Sequence, residues 1–64
     1  MTGVIKSYSY KHRYGFITCD NKDYFFNYQD IIGKQFRKYK EGQIVSFNPM
    51  DSSKGLRANS VCVL

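Results

Sequence analysis

The side chains with most to offer chemically in this sequence are rings and cations set close together. Six Tyr and five Phe accompany ten Lys and Arg in 64 residues, with no Trp. The densest stretches are Tyr14-Gly15-Phe16-Ile17 and Tyr24-Phe25-Phe26-Asn27-Tyr28. Rings left at the surface beside cations make a stacking platform for the flat faces of bases. Acid–base and metal chemistry have far less to work with. Asp20, Asp23, Asp30, Glu41 and Asp51 are scattered over turns, and nothing resembles a Gly-rich phosphate loop or a nucleophile beside a base. His12, Cys19 and Cys62 are too few and too far apart in sequence for a four-ligand zinc site or a disulfide scaffold. We expect no enzyme, no cofactor and no bound metal, with both thiols reduced.

Length and charge support that choice. A domain of 64 residues buries only about 60% of the surface its unfolded chain exposes. It has little room for a deep small-molecule pocket, and its core can hardly hide eleven rings. The net charge of +5 favours an anionic partner, of which polyphosphate is the commonest. Met1-Thr2-Gly3 leads straight into a patterned segment, so we expect no signal peptide. No apolar run approaches the roughly 18 residues a membrane span requires. The expectation is one cytoplasmic domain over residues 1–64, monomeric, without a membrane or small-molecule partner.

The elements that must position the rings read as strands. Residues 2–9 form a first strand, residues 10–13 a polar connector and residues 14–20 a second strand. Asp20-Asn21-Lys22 makes a short hairpin turn into a third strand over residues 23–28, where aromatics suit a pleated surface. Residues 29–42 form a long cationic loop, with one helical turn at 29–32 ended by Gly33. A fourth strand spans residues 44–48, and Pro49, with no N–H for a ladder, marks its edge or end. Residues 51–55 form a loop before the last strand at 56–63. Five short strands without a convincing helix indicate an all-β chain folded as a small five-stranded antiparallel barrel, whose closure removes exposed edges.

Alternation sorts some of the rings. Tyr14 and Phe16 share one face opposite Gly15 and Ile17, so an inward Ile17 sends both rings outward. Between residues 23 and 28, Tyr24, Phe26 and Tyr28 oppose Phe25 and Asn27, and alternation alone leaves open which set faces the core.

Tyr14-Gly15-Phe16-Ile17 resembles the first ribonucleoprotein motif of cold-shock proteins, Lys-Gly-Phe-Gly-Phe-Ile, and Tyr24-Phe25-Phe26-Asn27-Tyr28 is similar to their second, Val-Phe-Val-His-Phe. Gly3-Val4-Ile5-Lys6 resembles the family's opening, residues 41–47 (EGQIVSF) its fourth strand, and Lys54-Gly55 onward its final loop and strand. The resemblance implies an oligonucleotide-binding (OB) barrel that binds single-stranded RNA or DNA with low sequence specificity, in the manner of an RNA chaperone or a transcription or translation regulator of stress responses. Carried over residue by residue, it places Lys6, Tyr8, Tyr14, Phe16, Phe25, Asn27, Tyr28 and Phe36 on the platform. It places Ile5, Ile17, Tyr24, Phe26, Ile31, Val45, Phe47 and Val61 in the core. Tyr8, at the end of its strand, is equally placed to plug the barrel.

The sequence departs from that family in ways that bear on binding. Ser7 stands where the family has Trp, Asn27 where it has His, and Arg13 where it has Gly. Tyr24 and Phe26 replace small valines. These changes trade stacking for charge, with Lys6, Lys11, His12, Arg13, Lys34, Arg37, Lys38, Lys54 and Arg57 as the candidate phosphate contacts. Lys6, Arg13 and Lys54 flank the expected platform, and Arg57 joins them as a site candidate. The rival readings are a protein-interaction module on a redeployed barrel, and duplex binding through phosphates alone.

Overall fold

Turn chemistry sets the first meander. Asp20 and Asn21 both hold positive φ, +53° and +64°, the twist of a two-residue type I′ hairpin that short polar side chains tolerate. They join β2 (Tyr14–Cys19) to β3 (Lys22–Asn27), while β1 (Thr2–Ser9) pairs with the other side of β2. The computed structural model describes residues 1–33 and 38–64. A single 3₁₀ turn, Tyr28–Asp30, follows β3, and β4 (Ile44–Ser52) and β5 (Gly55–Val63) form the second hairpin.

The five strands close into a barrel in the order β1-β2-β3-β5-β4. Four neighbouring pairs are antiparallel, but β3 and β5 run parallel at Phe25 and Arg57. The expected small five-stranded barrel is present, and β3–β5 is the one pair in it that departs from antiparallel. Ile31 extends the parallel contact by bridging to Val61.

Pro49 does not end β4. The strand runs on to Ser52, and Pro49 sits opposite Ala58. Only residues 44–46 of β4 pair with β1, so at Pro49 the missing N–H falls on the side away from β5, where no ladder needs it. The expected loop over 51–55 shrinks to the two-residue turn Ser53-Lys54, because Ser52 pairs with Gly55. The Ser52 hydroxyl donates to the Gly55 carbonyl (2.8 Å) and accepts from the Lys54 N–H (3.2 Å).

Two bulges reset the faces. Lys6 is the extra residue between the Ile5–Ile17 and Ser7–Phe16 pairs, so Ile5 points inward while Lys6 and Ser7 are both exposed. On β5, Ser60 and Val61 together oppose Phe47, with Ser60 at φ +52°. Both accentuate the coiling that closes a small barrel.

Every core residue carried over by resemblance is buried, and Tyr39 and Ala58 join them. The ambiguity on β3 resolves with Tyr24 and Phe26 inward and Phe25 and Asn27 outward. Phe26 is fully buried, and a ring of that size contributes roughly 1.5–3 kcal/mol on leaving water. It fills the space that Gly15 leaves: a Cβ on Gly15 would sit 3.0 Å from two Phe26 ring carbons and collide with the Ser7 carbonyl. Tyr39 lies on the loop expected over residues 29–42, where the sequence alone gives it no partner. Tyr39 instead closes one end of the barrel against Tyr8 (ring centroids 5.3 Å apart). Tyr10 holds it there, its hydroxyl accepting from the Tyr39 N–H (2.6 Å) and donating to the Tyr39 carbonyl (3.2 Å).

Candidate nucleic-acid interface

β2 and β3 present one ring surface because their register is tight. Phe16 lies directly opposite Phe25, and Tyr14 opposite Asn27. Inward Ile17, Tyr24 and Phe26 anchor the intervening positions, and strand alternation turns the remaining rings outward. Centroid separations are 5.5 Å for Tyr14–Phe25, 5.7 Å for Phe16–Phe25 and 6.4 Å for Tyr14–Phe16. The three half-buried rings form one connected platform. His12, absent from the platform expected from sequence, extends it by stacking on Tyr14 at 5.9 Å.

Cations frame the rings. The Arg57 guanidinium lies 5.2 Å from the Phe25 centroid, and that of Arg13 lies 5.6 Å from the Tyr28 centroid. Phe16, Phe25, Asn27, Lys54 and Arg57 line an open groove of about 540 Å³, together with Asp23, Ser52 and Leu56. Lys54 is brought to the platform by the shortened β4–β5 turn. A smaller hollow of about 250 Å³ lies beyond Tyr14, lined by His12, Arg13, Asn27, Tyr28 and Gln29.

Two site cations are already paired. Lys6 donates to Asp23 (2.8 Å), whose carboxyl is held below its usual range first by that bond and then by one from the Thr18 hydroxyl. Arg57 reaches Asp30 (3.3 Å), which also accepts the Asn27 N–H (2.9 Å). Asp30 thus ties the 3₁₀ turn to β3 and steadies Arg57 over Phe25. In the sequence Asp23 and Asp30 are indistinguishable from ordinary turn carboxylates. The Asp30–Arg57 contact spans 27 residues, and no local pattern announces it.

Of the expected site residues, Tyr14, Phe16, Phe25, Asn27, Lys54 and Arg57 are brought together, with Arg13 and Tyr28 at one end and Lys6 at the Asp23 edge. Tyr8 is not among them. It pairs with Gly15 on the inner face and stacks on Phe26 at 5.8 Å, because the Lys6 bulge has already turned the next outward position over to Ser7. Burial raises its phenol above the ordinary value; Tyr39, Tyr10 and Tyr28 add to the effect and Arg13 opposes it. Phe36, with Lys34 and Arg37, lies outside the described residues.

Arg13 holds φ +60°, the left-handed backbone that suits glycine, although the sequence places a large side chain there. Its N–H donates to the Ser9 carbonyl (2.7 Å) and its carbonyl accepts from the Tyr28 N–H (2.9 Å). The conformation is locked from both sides.

A closed five-stranded barrel carrying a ringed, cation-edged sheet face is the architecture of a nucleic-acid-binding domain. Comparison with known proteins makes the class specific. The family model for the 'cold-shock' DNA-binding domain matches residues 1–64. A cold shock-like protein of Aquifex aeolicus is 39% identical, the match covering 97% of this chain and 91% of that protein. The cold shock-like protein CspG of Shewanella violacea is 38% identical, over 98% of this chain and 93% of that one. A cold shock-like protein of Thermotoga maritima is also 38% identical, over 100% of this chain and 98% of its own. The chain belongs to the cold-shock domain family and is a nucleic-acid-binding protein, a basic and divergent member lacking the usual Trp and motif His.

Proposed function

We propose that this protein binds single-stranded RNA or DNA with little sequence preference, as an RNA chaperone or a regulator of transcription or translation, and catalyses no reaction. One observation carries the reading: Tyr14, Phe16 and Phe25 are mutually touching, outward-facing rings beside a groove edged by Lys54 and Arg57. Each base stacked on such a ring is worth roughly 1–3 kcal/mol whatever its identity, because every base has a π-face. Only unpaired strands offer free faces, which favours single strands over duplex. Exposed Ser7, opposite Phe16, leaves the β1 side of the platform without a ring. Charge supplies what stacking lacks, although Lys6 and Arg57 must share their charge with Asp23 and Asp30.

The Phe16→Ala/Phe25→Ala double variant tests the reading by fluorescence anisotropy with labelled hexathymidine. Loss of two stacking surfaces should weaken binding by well over tenfold while the circular dichroism spectrum stays that of the barrel. An unchanged dissociation constant in the folded variant would refute stacking as the source of affinity.

A further inference from the structure

We propose that the hollow beyond Tyr14 is a phosphate subsite in which His12 and Arg13 grip one backbone phosphate, and that protonation of His12 switches this grip on. The proposal deepens the single-strand reading and rests on it.

Charge bookkeeping around the platform singles out this place. Lys6 is matched by Asp23 at 2.8 Å and Arg57 by Asp30 at 3.3 Å. Among the described residues, no carboxylate lies within ion-pair distance of Arg13 or His12. The only acid of the adjoining 3₁₀ turn, Asp30, is committed to the Asn27 N–H and to Arg57. An incoming phosphate therefore displaces no protein carboxylate at the Arg13 end of the platform.

Shape agrees with charge. The hollow, of about 250 Å³, has room for a phosphodiester, and His12, Arg13, Asn27, Tyr28 and Gln29 line it. His12 is seated rather than loose: its ring stacks on Tyr14, and its backbone N–H donates to the Ser9 hydroxyl (3.2 Å). A strand whose bases lie on Tyr14, Phe16 and Phe25 carries its next phosphate past this edge.

Histidine side chains in general gain their charge around pH 6.5, and His12 is the only histidine in the chain. Its neighbours are Lys11 and Arg13 in the chain, Tyr14 stacked against it, and Tyr28 in the lining of the hollow. A phosphate entering the hollow places an anion beside the ring. The bound anion then favours the imidazolium, which couples proton uptake to binding.

The test is anisotropy titration of hexathymidine carrying a pH-insensitive rhodamine, at pH 5.5 and 8.0 and two salt concentrations. Thymine does not titrate in this range. One added phosphate contact on a single strand steepens the slope of log K against log salt by about 0.7, or about fivefold in affinity at 0.1 M salt. The wild type should bind about fivefold more tightly at pH 5.5, with the steeper slope. H12Q should bind with its pH 8 affinity at both pH values, and H12K with the acid affinity at both. Binding by the wild type that does not change with pH, or a pH effect that survives in H12Q, would overturn the subsite and leave the stacking platform standing. No binding by the wild type at either pH would overturn the platform as well.

Discussion

At Arg13 the chain holds a cation on a backbone that a glycine would adopt without strain. A left-handed conformation costs an L-residue with a Cβ roughly 1–2 kcal/mol, and Arg13 bears it at φ +60°. The hydrogen bonds to Ser9 and from Tyr28 enforce it. Arg13→Gly and Arg13→Ala both delete the guanidinium, so comparing them isolates the backbone. The Gly variant should be the more stable by about 1 kcal/mol, melting roughly 4–8 °C above the Ala variant. Both should bind hexathymidine more weakly, with a salt slope shallower by about 0.7. Equal melting temperatures would show that the strain is relieved elsewhere. The motif comparison revealed that glycine is usual here; that the arginine keeps the glycine's conformation was not legible, because φ is set by hydrogen bonds from residues 9 and 28.

Among the elements, β2 works because its inner face is nearly empty at one point. Gly15 lets the Ser7 carbonyl and the Phe26 ring close over it, and this packing fixes Tyr14 and Phe16 on the outside. Gly15→Ala should destabilise the fold at or beyond the upper end of the roughly 1–3 kcal/mol typical of overpacking, since a carbonyl cannot swing aside as a side chain can. Urea denaturation measures it, and a loss under 0.5 kcal/mol would contradict the packing described. At the barrel end, Tyr8, Tyr10, Tyr39 and Phe26 form a second ring cluster. Burial raises the phenols of Tyr8 and Tyr39 above their ordinary value of 10.0. The folded state therefore favours the neutral phenols, and this contribution is intact below pH 10 and lost as pH rises beyond it. Melting temperature should fall steeply above pH 10, and less steeply in Tyr8→Phe; identical pH profiles would exclude Tyr8 as a source. Alternation and turn residues made β1, β2 and the β2–β3 hairpin readable. The Lys6 bulge, the run of β4 through Pro49 and the docking of Tyr39 depend on partners distant in sequence, so they were not.

For the whole molecule, closure decides which faces exist. The parallel contact of Phe25 with Arg57 brings β5 beside the platform, and the short Ser53-Lys54 turn puts Lys54 over the same groove. Period-two patterning placed Tyr14 and Phe16 together, and the family resemblance added Phe25. Neither indicated the paired acids Asp23 and Asp30, which cap how much of the +5 net charge a phosphate backbone can use. The balance between stacking and charge is therefore the central quantity. It is measured most directly by anisotropy titration of a labelled twelve-thymidine strand against a twelve-base-pair duplex at 0.05 and 0.3 M salt. Stacking on Tyr14, Phe16 and Phe25 predicts single-strand binding more than tenfold tighter than duplex, with the preference growing at the higher salt as the phosphate contribution fades. Equal affinity for the two, or a single-strand affinity that vanishes with salt in step with the duplex, would contradict the account.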